Sequence, residues 1–171
     1  GITIATRNFQ SPTLAAATFT RAARLADHGA DRAAIIEHLC AATPVPRLQL
    51  AGRILARTTA GANELYVSIL QQYDFTKTGA TEADLPHALE ELREAFGQLK
   101  RLAVLWPTPS GVAALVAAPD PTNHEALAEE GATRLDEETS RLAFEGVGLK
   151  EAEERIVGRL NPVRKQGDAS P

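Results

Sequence analysis

The 171-residue sequence has no methionine, one cysteine, one tryptophan and two tyrosines, and aromatic residues make up only 5% of it. The single thiol, Cys40, excludes an internal disulfide and any multi-cysteine metal cluster. That usage fits a reducing compartment, and a cytoplasmic protein is expected. The longest apolar runs are short, such as Gly111 to Pro119. None approaches the ~20 residues of a membrane span, so no membrane association is expected. No charged stretch followed by an apolar one opens the chain, so no secretory signal is read. Neither G-x-x-x-x-G-K nor G-x-G-x-x-G occurs, which excludes phosphate cradles of those kinds. Without methionine, and opening at Gly1 inside what reads as a strand, the sequence is expected to be the C-terminal portion of something longer.

What is present is globular in composition, 44% hydrophobic and 23% charged. A compact chain of this length hides roughly 70% of its unfolded surface. The net charge of −4 conceals a split. Residues 1–60 carry seven Lys/Arg against three Asp/Glu, or +4, and residues 61–171 carry eleven against nineteen, or −8. Generic duplex DNA binding is not expected of such a chain, because non-specific affinity comes from phosphate neutralisation. The basic first part leaves a local anion site open.

Ile2 to Thr6 alternates and is rich in β-branched residues, reading as the end of a strand. Ser11 with Pro12 starts a helix running to about His28, striped by Ala15, Phe19, Ala22 and Leu25, and Gly29 stops it. Asp31 caps a second helix carrying Ile35, Ile36 and Leu39. A third, Arg47 to about Thr59, has Leu48, Ala51 and Leu55 at helical spacing. Leu65 to Gln72 reads as a strand, followed by a loop of Thr, Lys and Gly. Asp84 caps a helix with Leu85, Leu89, Leu92 and Phe96 on one face. Leu102–Trp106 and Val112–Ala117 read as strands about a turn at 107–111, Asn123–Glu130 as a short acidic helix, Ser140–Phe144 as a weak strand and Leu149–Leu160 as a final helix. The expected fold class is α/β, with a helical piece, a connector and a lobe built on a mixed sheet of about four strands.

Residue chemistry alone names no enzyme. His28, His38, His87 and His124 stand singly, read as solvent-facing at helix ends, and Cys40 reads as a small buried apolar residue. The clusters Glu90-Glu91-Glu94 and Glu151-Glu153-Glu154 read as solvated helix faces. Trp106 is either a core residue or a platform for stacking a base. Arg21/Arg24 and Arg53/Arg57, three and four residues apart, share helix faces. They are either solubilising or line a phosphate-facing surface.

The order of the pieces adds a resemblance. Gly1-Ile2-Thr3-Ile4-Ala5-Thr6-Arg7-Asn8-Phe9, then Ala22-Ala23-Arg24-Leu25-Ala26-Asp27-His28-Gly29-Ala30-Asp31, an Ile-Ile pair, and Leu48-Gln49-Leu50-Ala51-Gly52-Arg53 resemble the end of a DHH-family phosphoesterase domain. This is the family of RecJ-like exonucleases, NrnA-like oligoribonucleases and cyclic-dinucleotide phosphodiesterases. Asp84-Leu85-Pro86, Val104-Leu105-Trp106, the turn at Ser110-Gly111 and Leu149-Lys150-Glu151-Ala152-Glu153-Glu154 are similar to its DHH-associated C-terminal lobe. The resemblance covers about residues 1–160. It implies residues 1–45 as the C-terminal remnant of a DHH-like domain, 46–60 as a connector helix, 61–161 as the α/β lobe and 162–171 as a disordered tail.

The family holds manganese on aspartates and histidines, and one of those aspartates lies in an Asp-Thr-Gly strand. Ala5 stands at that position here, and Ala5-Thr6-Arg7 replaces the motif. The family's lobe grips substrate with a Gly-Gly-Gly-His run. The matching stretch, about Gly131 to Phe144, opens with Glu130-Gly131-Ala132-Thr133-Arg134-Leu135 and has no such run. A two-metal site needs several hard oxygen donors, and a methyl group supplies none. The resemblance therefore implies a relative of oligonucleotide and nucleotide phosphodiesterases that is not catalytic by itself and binds no manganese in this chain. Thr6, Arg7 and Asn8 are its candidate phosphate contacts, with Arg7 a fixed positive charge. A short oligonucleotide or nucleotide phosphate is the expected ligand, and a homodimer stays open. The alternatives are a non-catalytic nucleotide-binding or scaffolding protein on the same frame, and a helical adaptor unrelated to the family.

Overall fold

The computed structural model describes residues 2, 6, 14–31, 33–35, 37 and 44–161. The chain divides into two compact units, Gly1–Thr43 and Pro44–Pro171.

In the first unit, helix α1 spans Ala16–Asp27. Gly29, at a φ of 91°, takes the left-handed conformation that ends a helix cheaply only for glycine. Asp31 caps the next turn as expected, its Oδ1 accepting from Ala34 N–H at 3.0 Å. The opening segment departs from the strand expectation. Ile2 is helical, and Thr6 N–H donates to its carbonyl at 3.0 Å, the i to i+4 spacing of a helix turn. Three alternating β-branched positions are a weak signal without paired neighbours. Ala5, Arg7, Asn8, Ser11, Pro12, His38, Cys40 and the 162–171 tail lie outside the described residues.

The second unit runs α2 (Val45–Ala56), β1 (Thr58–Ala60), β2 (Leu65–Ile69), α3 (Gln72–Thr78), α4 (Leu85–Ala95), β3 (Arg101–Thr108), β4 (Gly111–Ala117), α5 (Pro121–Ala128), β5 (Thr133–Arg134), β6 (Thr139–Glu145) and α6 (Leu149–Leu160). The strands form one mixed six-stranded sheet in the order β1-β2-β3-β4-β6-β5. β2 and β3 are parallel and every other pair is antiparallel. The fold is α/β, as the sequence pattern predicts, with two more strands than expected. Both extra strands, β1 and β5, are edge pieces of two or three mostly exposed residues that leave little periodic trace.

β3 and β4 sit in the middle and are buried on both faces, which explains their unbroken apolar runs. Leu102, Val104 and Trp106, with Ala113 and Leu115, face α2 and α4. Ala103, Leu105, Val112, Ala114 and Val116 face α5 and α6 through Leu127, Ile156 and Leu160. At roughly 1.5–3 kcal/mol per fully buried aliphatic or aromatic side chain, these two layers dominate the stability of the unit. The hairpin between β3 and β4 is tighter than expected. Thr108 pairs with Gly111, and only Pro109 and Ser110 form the loop. β2 pairs with β3 only as far as Leu105, so Pro107 lies along an edge where a missing N–H is tolerated.

Three further expectations are corrected. Residues 72–78, read as strand end and loop, form α3, because Asp74 accepts from Gln71 N–H at 2.8 Å in a capping box. α2 buries Leu50, Ala51 and Ile54 and exposes Leu48 and Leu55, so its inner stripe is rotated from the one expected. Asp84 precedes α4 but makes no side-chain cap. Its carboxylate turns back to Thr81 N–H at 2.8 Å and Thr81 Oγ1 at 3.0 Å. Among the described residues no helix is long and apolar enough to cross a membrane.

Candidate functional site

α2 begins after Pro44, with a second proline, Pro46, in its first turn, where a missing N–H costs no intrahelical bond. Once Leu50, Ala51 and Ile54 are committed to the core, Gln49, Gly52, Arg53 and Ala56 are left on the outer side at helical spacing. α3 brings Lys77 and Thr78 against them. These six residues line a cavity of about 430 Å³.

A fully buried carboxylate fixes the two helices at this place. Asp74 accepts from Arg57 Nε at 2.9 Å and Arg57 Nη2 at 3.1 Å, a two-pronged guanidinium contact. Arg53 Nη1 stands 3.9 Å from the same carboxylate, and its side chain is 42% exposed. Lys77 Nζ lies 5.5 Å from the centre of the Tyr73 ring. Thr78 Oγ1 is engaged by the Asp74 carbonyl at 2.9 Å. Among the described residues the lining thus carries two positive groups and one amide, and no carboxylate.

Of the arginine pair Arg53/Arg57 singled out from sequence, Arg57 is therefore the anchor to the buried Asp74 and Arg53 stands farther from it, both side chains being partly exposed. The sequence reading leaves Lys77 in a loop after Gln72, and it places Gln49 on a helix without marking it as a site residue. The Gln71-x-x-Asp74 capping box was the signal that places Lys77 on a helix. Arg21 and Arg24 are exposed on α1. Thr6 is buried, and its hydroxyl donates to the Ile2 carbonyl at 2.8 Å.

Two histidines stay at the surface as read. His28 Nδ1 is 2.7 Å from the Arg24 carbonyl, and His87 Nδ1 is 4.0 Å from Glu90. His124 does not, being 5% exposed. Its Nε2 lies 2.9 Å from the Ala118 carbonyl and its Nδ1 2.8 Å from Ser140 Oγ. A carbonyl only accepts, so Nε2 carries a proton and donates it to Ala118, and Nδ1 pairs with the serine hydroxyl. This Ser–His pair is a core hydrogen-bond bridge between α5 and β6, with both nitrogens used. Trp106, 1% exposed, is a core residue. The 131–144 stretch forms β5 and β6, whose backbones pair with each other and with β4.

Two carboxylates at turns titrate low. Hydrogen bonds from the Thr81 N–H and hydroxyl hold Asp84 below the ordinary range, and those from Thr122 do the same for Asp120, which caps α5. Hydrogen bonding to Glu130 at 2.8 Å, assisted by neighbouring Glu129, pushes Arg159 up. Among the described residues no three His, Cys, Asp or Glu side chains converge as a metal site.

No family model matches the sequence, and no curated protein matches it. A crystal structure of an exopolyphosphatase-related protein from Bacteroides fragilis shares the fold, with a TM-score of 0.72 over 94% of this chain at 15% sequence identity. This chain spans 47% of that one, about half its length.

Proposed function

We propose that this chain is half of a DHH-type phosphoesterase frame that binds short oligonucleotides or nucleotide phosphates and does not hydrolyse them by itself. The observation that carries the reading is the likeness to the exopolyphosphatase-related protein along nearly the whole chain. Polyphosphate and nucleotides share the phosphate group such a frame would hold. Ala5, with a methyl group where the resemblance puts a metal-binding aspartate, gives the non-catalytic part of the proposal. In this reading Arg7 supplies a fixed positive charge to the phosphate, beside Thr6 and Asn8.

Two measurements test it. Di- and trinucleotides and short-chain polyphosphate, incubated with the chain and manganese, are expected to stay intact, while calorimetry detects dinucleotide binding that is indifferent to manganese. Turnover would overturn the non-catalytic assignment. Absence of any dinucleotide heat would overturn the nucleotide-binding one.

A further inference from the structure

We propose that the cavity between α2 and α3 is a binding site for a phosphate group, held by Arg53 and Lys77 with Gln49 as a neutral donor. The inference stands on the second unit alone and does not depend on the phosphoesterase reading.

Charge comes first. Arg53, Arg57 and Lys77 against Asp74 leave +2 at this spot in a protein of net charge −4. Asp74 is already answered by the two-pronged Arg57 contact, so Arg53 is surplus to the anchor. Its approach to Asp74 is long, at 3.9 Å. Lys77 rests on the Tyr73 face and, among the described residues, on no carboxylate. An Arg fork from α2 and an ammonium from α3 suit a tetrahedral dianion, whose oxygens accept from both.

Space comes second. Gly52 lies in mid-helix, where glycine is worse than alanine by roughly 0.5–1 kcal/mol. Packing does not demand it, since a Cβ built there meets nothing within 4 Å, and its φ is ordinary. What the missing side chain leaves is the open floor of the cavity, between Gln49, Arg53 and Ala56. The shared chemistry is a phosphate group, and both inorganic pyrophosphate and a nucleoside monophosphate present one.

The test is calorimetric titration of the chain at low salt with pyrophosphate and, separately, with AMP. Binding of pyrophosphate alone assigns an inorganic ligand, and binding of both, or of AMP alone, assigns a phosphate ester. In either case Arg53→Ala and Lys77→Ala each weaken it roughly tenfold, the loss of one charge-assisted hydrogen bond. Gly52→Leu fills the floor and abolishes binding while the melting temperature holds or rises, which separates a blocked site from a broken fold. No heat with either ligand, or unchanged affinity in the three variants, overturns the proposal. So does residual binding that moves only with Arg7→Ala, which would place the phosphate in the first unit.

Discussion

Gly111 stands where no side chain fits. A Cβ there would lie 2.0 Å from the Phe144 carbonyl oxygen, and the φ of 154° is one that L side chains rarely adopt. Gly111→Ala is expected to cost about 2–3 kcal/mol, read as a lower urea midpoint. Asp84 and Asp120 give a prediction in pH. Their folded-state pKa values sit below the unfolded value of about 3.9, so each contributes stability that is full above that value and is lost as pH falls through the folded one. Asp84→Asn and Asp120→Asn should therefore melt below the parent at pH 6 and converge with it near pH 2. A gap that persists into acid would show that shape, not charge, is what the carboxylates supply.

At the scale of elements, the phase of α2 is the sharpest expectation. Leu50 is fully buried and Leu48 is 53% exposed. Leu50→Ala should cost about 2–5 kcal/mol and Leu48→Ala under about 0.5 kcal/mol, measured by chemical denaturation. α6 and the β3–β4 hairpin were legible because their signals are strong: Leu149, Ile156 and Leu160 keep one helical face, and two apolar runs flank a Pro/Gly turn. α2 was legible as a helix but not in its facing. Leu48, Leu50, Ile54 and Leu55 offer two overlapping apolar stripes, and only the sheet beneath chooses between them. α3 is hard to read because Thr76, Thr78 and Gly79 outweigh, in a propensity reading, the short Gln71-x-x-Asp74 capping signal. The cavity went unseen with it. Its arginine came from a helix read correctly and its lysine from one read as loop. His124 was misread for a related cause: its buried partner Ser140 is sixteen residues away, and nothing local announces the bond.

For the whole molecule, Arg101 is the long-range tie. At the start of β3 it donates to the Leu160 carbonyl at 2.6 Å, the Asn63 carbonyl at 2.8 Å and Asn123 Oδ1 at 3.1 Å. One side chain thus satisfies the end of α6, the turn before β2 and the first turn of α5. Arg101→Ala should destabilise the second unit by about 2–3 kcal/mol and speed amide exchange in α6 before the central strands. Within the first unit, α1 buries no residue. Its amides should exchange faster than those of β3 and β4 by orders of magnitude, because exchange follows local burial. Equal protection would mean that α1 packs against a surface in solution.

Because the middles of β3 and β4 are apolar on both faces, sliding one past the other by a residue would there exchange one apolar group for another. Alternation cannot police their alignment. The two-residue loop and the pinched glycine after it must do so, and side-chain bulk reinforces them: Trp106 lies opposite Ala113, where a one-step shift would set the indole against Val112 or Ala114 and turn it out of its own layer. A single extra residue inserted between Pro109 and Ser110 therefore lengthens the one connection that holds this alignment.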